Sequence, residues 1–128
     1  AGVSERWVVR GHNHTCQVRP WERSTIITCG SLGVPLDGNP TAQYLLLDQA
    51  KAGEWCIQHQ SVPYDLQAVT QRFESSGYLK AAGPMARLYL REILTGSPHI
   101  VPFLRAYSRW KKQGDISLST AFERFLVF

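Results

Sequence analysis

The spacing of apolar residues changes character near residue 62, and this change restricts the chain to folds that mix strands with helices. Before it, apolar residues come in short β-branched or aromatic runs between turn residues. Arg6-Trp7-Val8-Val9-Arg10 is one such run and stops at Gly11. Ser24 to Cys29, with Thr25-Ile26-Ile27-Thr28 inside it, is a second and stops at Gly30. Gln43 to Asp48 reads as a third strand, Gly53 as the turn after it, and Glu54 to Val62 as a fourth strand. In the fourth, Trp55, Ile57 and His59 alternate with Cys56, Gln58 and Gln60, the period of a half-buried sheet. The third and fourth strands are close enough in sequence to form an antiparallel hairpin. Pro35-Leu36-Asp37-Gly38-Asn39-Pro40 is dense in turn residues.

Beyond residue 62 the period is helical. Asp65 suits the N-cap of a helix with Leu66, Val69 and Phe73 inward, ended by Gly77. Pro84 suits the start of a second, with Met85, Leu88, Tyr89 and Ile93 inward and Gly96 as C-cap. Ser97-Pro98 reads as cap and first residue of a third helix, which runs through Ile100, Phe103, Leu104 and Tyr107 toward Lys112 and stops at Gly114. A fourth begins within Ser117 to Thr120 and carries Leu118, Ala121, Phe122 and Phe125, with Thr120 and Glu123 at capping-box spacing. The expected fold class is α/β, with strands in residues 6–62 and helices in 64–127. A length of 128 residues suits a single domain, 1–128.

Composition narrows the function classes. The chain is 44% hydrophobic and 11% aromatic, enough for a core and against global disorder. Its net charge is +4, with no Lys/Arg run interleaved with aromatics, so a nucleic-acid partner is not expected. The mild basic excess suits phosphorylated small molecules or phosphoproteins through long-range steering. No stretch approaches the roughly 18 apolar residues of a membrane span, and Ala1 to Arg10 lacks the pattern of a signal peptide. The first residue is not Met, so the expectation is a segment of something longer or a processed chain. Cys16, Cys29 and Cys56 are too few and odd in number for a disulfide framework; reduced thiols and a cytoplasmic location are expected.

One segment points to chemistry. Val8-Val9-Arg10-Gly11-His12-Asn13-His14 puts two histidines just past an apolar strand, in a loop at a sheet edge. Imidazoles at i and i+2 of an extended loop can point to neighbouring metal ions, and neutral imidazole ligates Zn, Mn, Fe and Ni. Gly11 lets the backbone turn sharply beneath them. Surface loops also carry such pairs with no metal, so the pair alone leaves both readings open.

The segment resembles the final Gly-His-x-His motif of the calcineurin-like metallophosphoesterases, and the likeness continues in order along the chain. Thr28-Cys29-Gly30-Ser31-Leu32-Gly33 stands where bacterial phosphodiesterase-like members carry Asn-Pro-Gly-Ser-Val-Gly. Pro35-Leu36-Asp37-Gly38-Asn39-Pro40-Thr41-Ala42-Gln43-Tyr44 is similar to their Pro-x-Asp-Gly-x-Pro-x-Ala-x-Tyr segment. Val62-Pro63-Tyr64-Asp65 and the helices up to Gly96 extend the likeness over about residues 6–96. The resemblance implies the C-terminal half of a layered α/β sandwich. It implies His12 and His14 as ligands of a site for two divalent ions (Mn, Fe, Zn or Ni), each histidine on a different ion. In that family the ions polarise a phosphoryl oxygen and activate a water that attacks phosphorus in line. The earlier motifs of the family, Asp-x-His, Gly-Asp and Gly-Asn-His, are absent from this sequence. The chain by itself is therefore expected neither to bind two metals tightly nor to hydrolyse phosphoesters, and the N-terminal half of the fold is its expected partner.

Other residues carry paired readings. Gly30 and Ser31 form either part of the site's tight turn or a plain strand-to-loop turn. Cys29, at a position where the family has proline, is either a soft extra ligand or a small buried hydrophobe. Arg19 and Arg23, in the loop expected after the histidines, are the candidates to meet an anionic substrate. Arg87, Arg91, Arg105, Arg109, Lys111 and Lys112 are spaced as solvated helix faces. His59 reads as a satisfied, partly buried histidine and His99 as an exposed one. Phe103, Tyr107, Trp110, Phe122 and Phe125 read as core. The alternative to an enzyme is a non-catalytic remnant or interaction module that self-associates as a homo-oligomer through the edge of strand Arg6–Arg10.

Overall fold

A computed structural model describes residues 5–49 and 55–127; the expected turn at Gly53 and the strand start at Glu54 lie outside them. The elements run β1 (Trp7–Arg10), β2 (Cys16–Trp21), β3 (Ser24–Cys29), β4 (Ala42–Gln49), β5 (Trp55–Val62), α1 (Leu66–Ser75), α2 (Tyr78–Thr95), α3 (Ile100–Gln113) and α4 (Leu118–Leu126). Among the described residues the fold is mixed α/β, with five strands in two small sheets and four helices. The chain divides into two compact units, Ala1–Tyr64 and Asp65–Phe128, with the division two residues past the change of apolar period. No described helix is long and apolar enough to cross a membrane.

The first sheet has the order β1-β3-β2. β3 runs parallel to β1, with Val8 opposite Ile26, and antiparallel to β2, with Val18 opposite Ile27. Ile27 and Thr28 on this central strand are fully buried. β1 is an edge, with no strand on its other side among the described residues. β4 and β5 form the expected antiparallel hairpin, with Leu45 opposite His59.

β2 corrects the sequence reading, which left residues 16–21 as a loop. Its sequence, Cys-Gln-Val-Arg-Pro-Trp, shows neither clean alternation nor an apolar run, and four of its six residues are exposed. Pro20 argues against a central strand, but an edge strand need not donate from every N–H. The strand exists because β3 offers it a free ladder and Glu22-Arg23 closes a two-residue turn, with Glu22 at φ 52°.

In the helical unit Asp65 caps α1 as expected, its carboxylate accepting from Ala68 N at 2.9 Å. α1 buries no residue completely, although Phe73 meets the rings of Tyr78 and Tyr89. α2 starts at Tyr78, before Pro84, but Gly83 leaves helical geometry at φ 57°, ψ −135°. Pro84 disfavours the helical conformation in the residue before it, and glycine tolerates the resulting left-handed φ. The expected helix start at Pro84 is thus a kink within a longer element.

The start of α3 is also corrected. The helix begins at Ile100 with His99 as N-cap, and Ser97-Pro98 is connector. The cap comes from α2: Glu92 Oε1 accepts from both His99 N and Ile100 N at 2.8 Å. Glu92 is buried, and its charge sits at the positive end of α3. His99 is half-buried rather than exposed, with Nε2 3.0 Å from Thr95 Oγ1. Burial, then the Arg91 charge, push its imidazole below the ordinary range, while Glu92 pulls the other way. Ser117 caps α4 by accepting from Thr120 N at 3.0 Å, so Thr120 lies inside the first turn and its spacing to Glu123 is not a capping box. Glu92→Ala is expected to lower the stability of the helical unit by about 2 kcal/mol, since it strips two charge-assisted bonds from a helix start. Hydrogen exchange of the first-turn amides of α3 reads this directly.

The core of this unit gathers Leu88, Phe103, Ala121 and Phe122, with Met85, Ile100, Tyr107, Trp110 and Phe125 packed around them. The aromatic stripe read from the sequence is therefore core.

Candidate metal-binding loop

β1 ends at Arg10, and Gly11-His12-Asn13-His14-Thr15 carries the chain to β2. His12 and His14 adopt positive φ, 79° and 57°. For most L-residues that region costs roughly 1–2 kcal/mol, and histidine is one of the few non-glycine types enriched there. Two such residues in one short loop need the surroundings to hold them.

The segment after β3 supplies that hold for His14. Its backbone carbonyl accepts from Leu36 N at 2.8 Å, and its Nδ1 lies 2.8 Å from the carbonyl oxygen of Val34. A carbonyl only accepts, so Nδ1 carries the hydrogen, and in the neutral ring the lone pair sits on Nε2. Val34 and Pro35 are buried and anchor the clamp. Ser31 Oγ accepts from Val34 N at 3.0 Å, which fixes the bend.

Gln43 ties this bend to β4. Its side-chain oxygen accepts from Ser31 N at 3.3 Å, and its amide nitrogen donates to both carboxylate oxygens of Asp37, at 2.9 and 3.0 Å. Its backbone N–H donates to Ser31 O at 3.0 Å. Gln43 is only 3% exposed, so every polar atom of its amide must be matched inside the protein, and it is. Gly30, at φ 87°, passes so close that a Cβ there would lie 2.6 Å from Gln43 Oε1 and 2.8 Å from Cys16 Sγ. Asp37 also accepts from Asn39 N, closing the turn that the Asp-Gly-Asn sequence predicts.

A cleft of about 520 Å³ opens over this construction, and His12, His14, Cys29, Gly30, Ser31 and Tyr44 are among the residues that line it. The structure thus brings together both candidate ligands, the candidate soft ligand, and Gly30 and Ser31; the third candidate turn residue, Gly11, is not on the cleft wall, and the left-handed positions of the loop fall on His12 and His14 instead. The structure does not bring the two arginines. Arg19 lies on β2 rather than in a loop, with its guanidinium 5.3 Å from the centre of the Trp21 ring. Arg23 sits in the turn between β2 and β3, one strand length, roughly 20 Å, from the histidine end of β2. His59 is half-buried and bonds through Nε2 to the carbonyl of Thr28 at 2.8 Å, the satisfied histidine that its alternation suggests.

The donor set fits part of a metal shell. A histidine whose Nδ1–H is held by a backbone carbonyl turns Nε2 outward as the donor nitrogen, as in ligating histidines. Among the described residues no His, Cys, Asp or Glu joins His12 and His14 in a group of three or more, and Cys29 does not complete one. A divalent ion takes about four donors, so one imidazole on each of two ions leaves about three donors per ion to be supplied from elsewhere. Cys16, two residues past His14, has its thiol pushed above the ordinary range by burial first, then by the Asp37 charge, then by Cys29.

Compared with known proteins, the chain matches no protein-family model and no curated protein. Sequence reasoning gave Gln43 and the Val34 carbonyl no role. Gln43 carried no clear periodic signal: both phases of β4 hold leucines, and Gln49 shares the phase of Gln43 but is exposed. The Val34 carbonyl carries no side-chain signal at all.

Proposed function

We propose that His12 and His14 are metal ligands of a phosphoester hydrolase, with the rest of the shell contributed by residues outside this chain. The carrying observation is the His14 Nδ1–Val34 carbonyl bond, in a loop whose two histidines both take left-handed φ and both line one cleft. Positive φ alone also occurs in a plain turn, at Glu22; two such histidines in one loop, one of them clamped through its ring, support a site. The ordered likeness of Gly11 to Tyr44 to the calcineurin-like motifs supports the same reading. When bound, divalent ions supply Lewis acidity at a phosphoryl oxygen and a more acidic water. This chain's own residues hold and orient. Val34 fixes the tautomer and rotation of His14, Gln43 and Ser31 fix Val34, and Gly30 lets the backbone pass beneath them.

In the complete protein, His14→Gln and His12→Gly are each expected to lower Mn2+-dependent hydrolysis of bis(p-nitrophenyl) phosphate by roughly 100-fold or more, beyond what loss of an outer-shell contact costs. His12→Gly also relaxes a left-handed residue and is expected to raise stability by about 1 kcal/mol, so its loss of activity is not a loss of folding. Full metal-dependent rates in both variants would overturn the reading.

A further inference from the structure

We propose that Cys16 and Cys29 form a dithiol pair that a hydroperoxide converts into an intrachain disulfide beside the histidine cleft. The two residues are direct partners in the antiparallel ladder of β2 and β3. Such partners project from the same face with Cα atoms about 4.5–5.5 Å apart, within the roughly 4.4–6.8 Å that a disulfide spans. Cys16 Sγ leans toward the end of β3, 4.0 Å from the carbonyl oxygen of Cys29 and 2.8 Å from the point a Gly30 Cβ would occupy. Both thiols are free and half-buried, and Cys29 lines the cleft, so a small oxidant has a path to the pair. Cys56 has no such neighbour: it is exposed on β5, and its ladder partner is Asp48.

The reaction balances with one peroxide. One thiolate attacks a peroxide oxygen, the O–O bond breaks, and an alcohol or water leaves as that sulfur becomes a sulfenic acid. The second sulfur attacks the sulfenic sulfur, the S–S bond forms, the S–O bond breaks, and hydroxide leaves with the second thiol's proton as water. Two thiols lose two electrons in total and the peroxide gains them. The bond would fasten the start of β2, two residues past His14, to the residue before Gly30. The inference uses only the strand register and does not depend on a metal.

The test treats the chain with hydrogen peroxide in the presence of a chelator, alkylates the remaining thiols and maps the peptides. The expected result is loss of two of the three thiols, a mass lower by two hydrogens, a peptide joining Cys16 to Cys29, and reversal by dithiothreitol. Cys56 stays open to alkylation, and Cys16→Ser abolishes the linked peptide. Linked peptides containing Cys56, arrest at sulfinic acid, or Cys16 and Cys29 both still alkylated after Cys56 has oxidised would each overturn the proposal. Mapping the unaltered chain keeps the test independent of how the variant folds.

Discussion

Phe103→Ala is expected to cost the helical unit about 3–5 kcal/mol, the range for removing a fully buried aromatic ring. Phe103 has no exposed surface and sits where α2, α3 and α4 meet, against Leu88, Ala121 and Phe122. Its ring lies edge-on to Phe125 and Phe122, at 5.4 and 6.3 Å between centroids, and stacks on Tyr107 at 6.0 Å. Each aromatic contact adds to what burial alone contributes. A small domain holds only about 5–15 kcal/mol in total, so this one change would remove much of the unit's stability. Trp110 reports it, being the only tryptophan in Asp65–Phe128, packed on this core and covered by Arg124 at 4.5 Å. A urea transition followed by Trp110 fluorescence, in a chain with the other tryptophans replaced by phenylalanine, should move to much lower denaturant. A loss below about 1 kcal/mol would mean that the helices do not converge on this ring.

Gly30→Ala is expected to cost the strand unit about 3 kcal/mol, from two causes that add. Alanine at φ 87° meets the left-handed penalty of roughly 1–2 kcal/mol. Its Cβ would also stand 2.8 Å from Gln43 Cβ and 2.6 Å from Gln43 Oε1, so Gln43 must move. Moving it breaks part-buried bonds to Ser31 and Asp37, and leaving the buried Gln43 amide unmatched costs on the order of 1–3 kcal/mol. The sharper readout is local. Amide exchange should quicken at Ser31 and Leu36, and the Nδ1–H resonance of His14 should lose its protection, because the clamp on His14 runs through this bend. Unchanged exchange at Leu36 would separate Gly30 from the histidine loop.

Helix positions were readable because a helix is a local object. Leu66, Val69 and Phe73 repeat at the helical spacing, Asp65 caps from one residue away, and both were visible in the chain's order. Where a helix end depends on a distant group, local sequence does not mark it. Ser97-Pro98 has the composition of a helix start, yet α3 begins at Ile100, because a buried carboxylate on α2 offers two bonds there. β2 was missed for a related reason: its sequence carries no pattern, and its ladder belongs to β3. Moving Arg19 onto that strand also removed it from the loop in which an anionic substrate had been expected to meet it.

By itself the sequence determined the mixed α/β class, the division near residue 62, the core stripe of the helices, and a loop with two histidines ahead of a Gly-Ser turn. These follow from periodicity and turn chemistry, which act within a few residues. Only the tertiary structure decided that Val34 orients His14, that Gln43 and Asp37 support Val34 through Ser31, and that Cys16 stands opposite Cys29. The Val34 and Cys29 relations join residues 13 and more apart, through a backbone carbonyl and strand register. Neither leaves a mark on residue type, so only the folded chain reveals them.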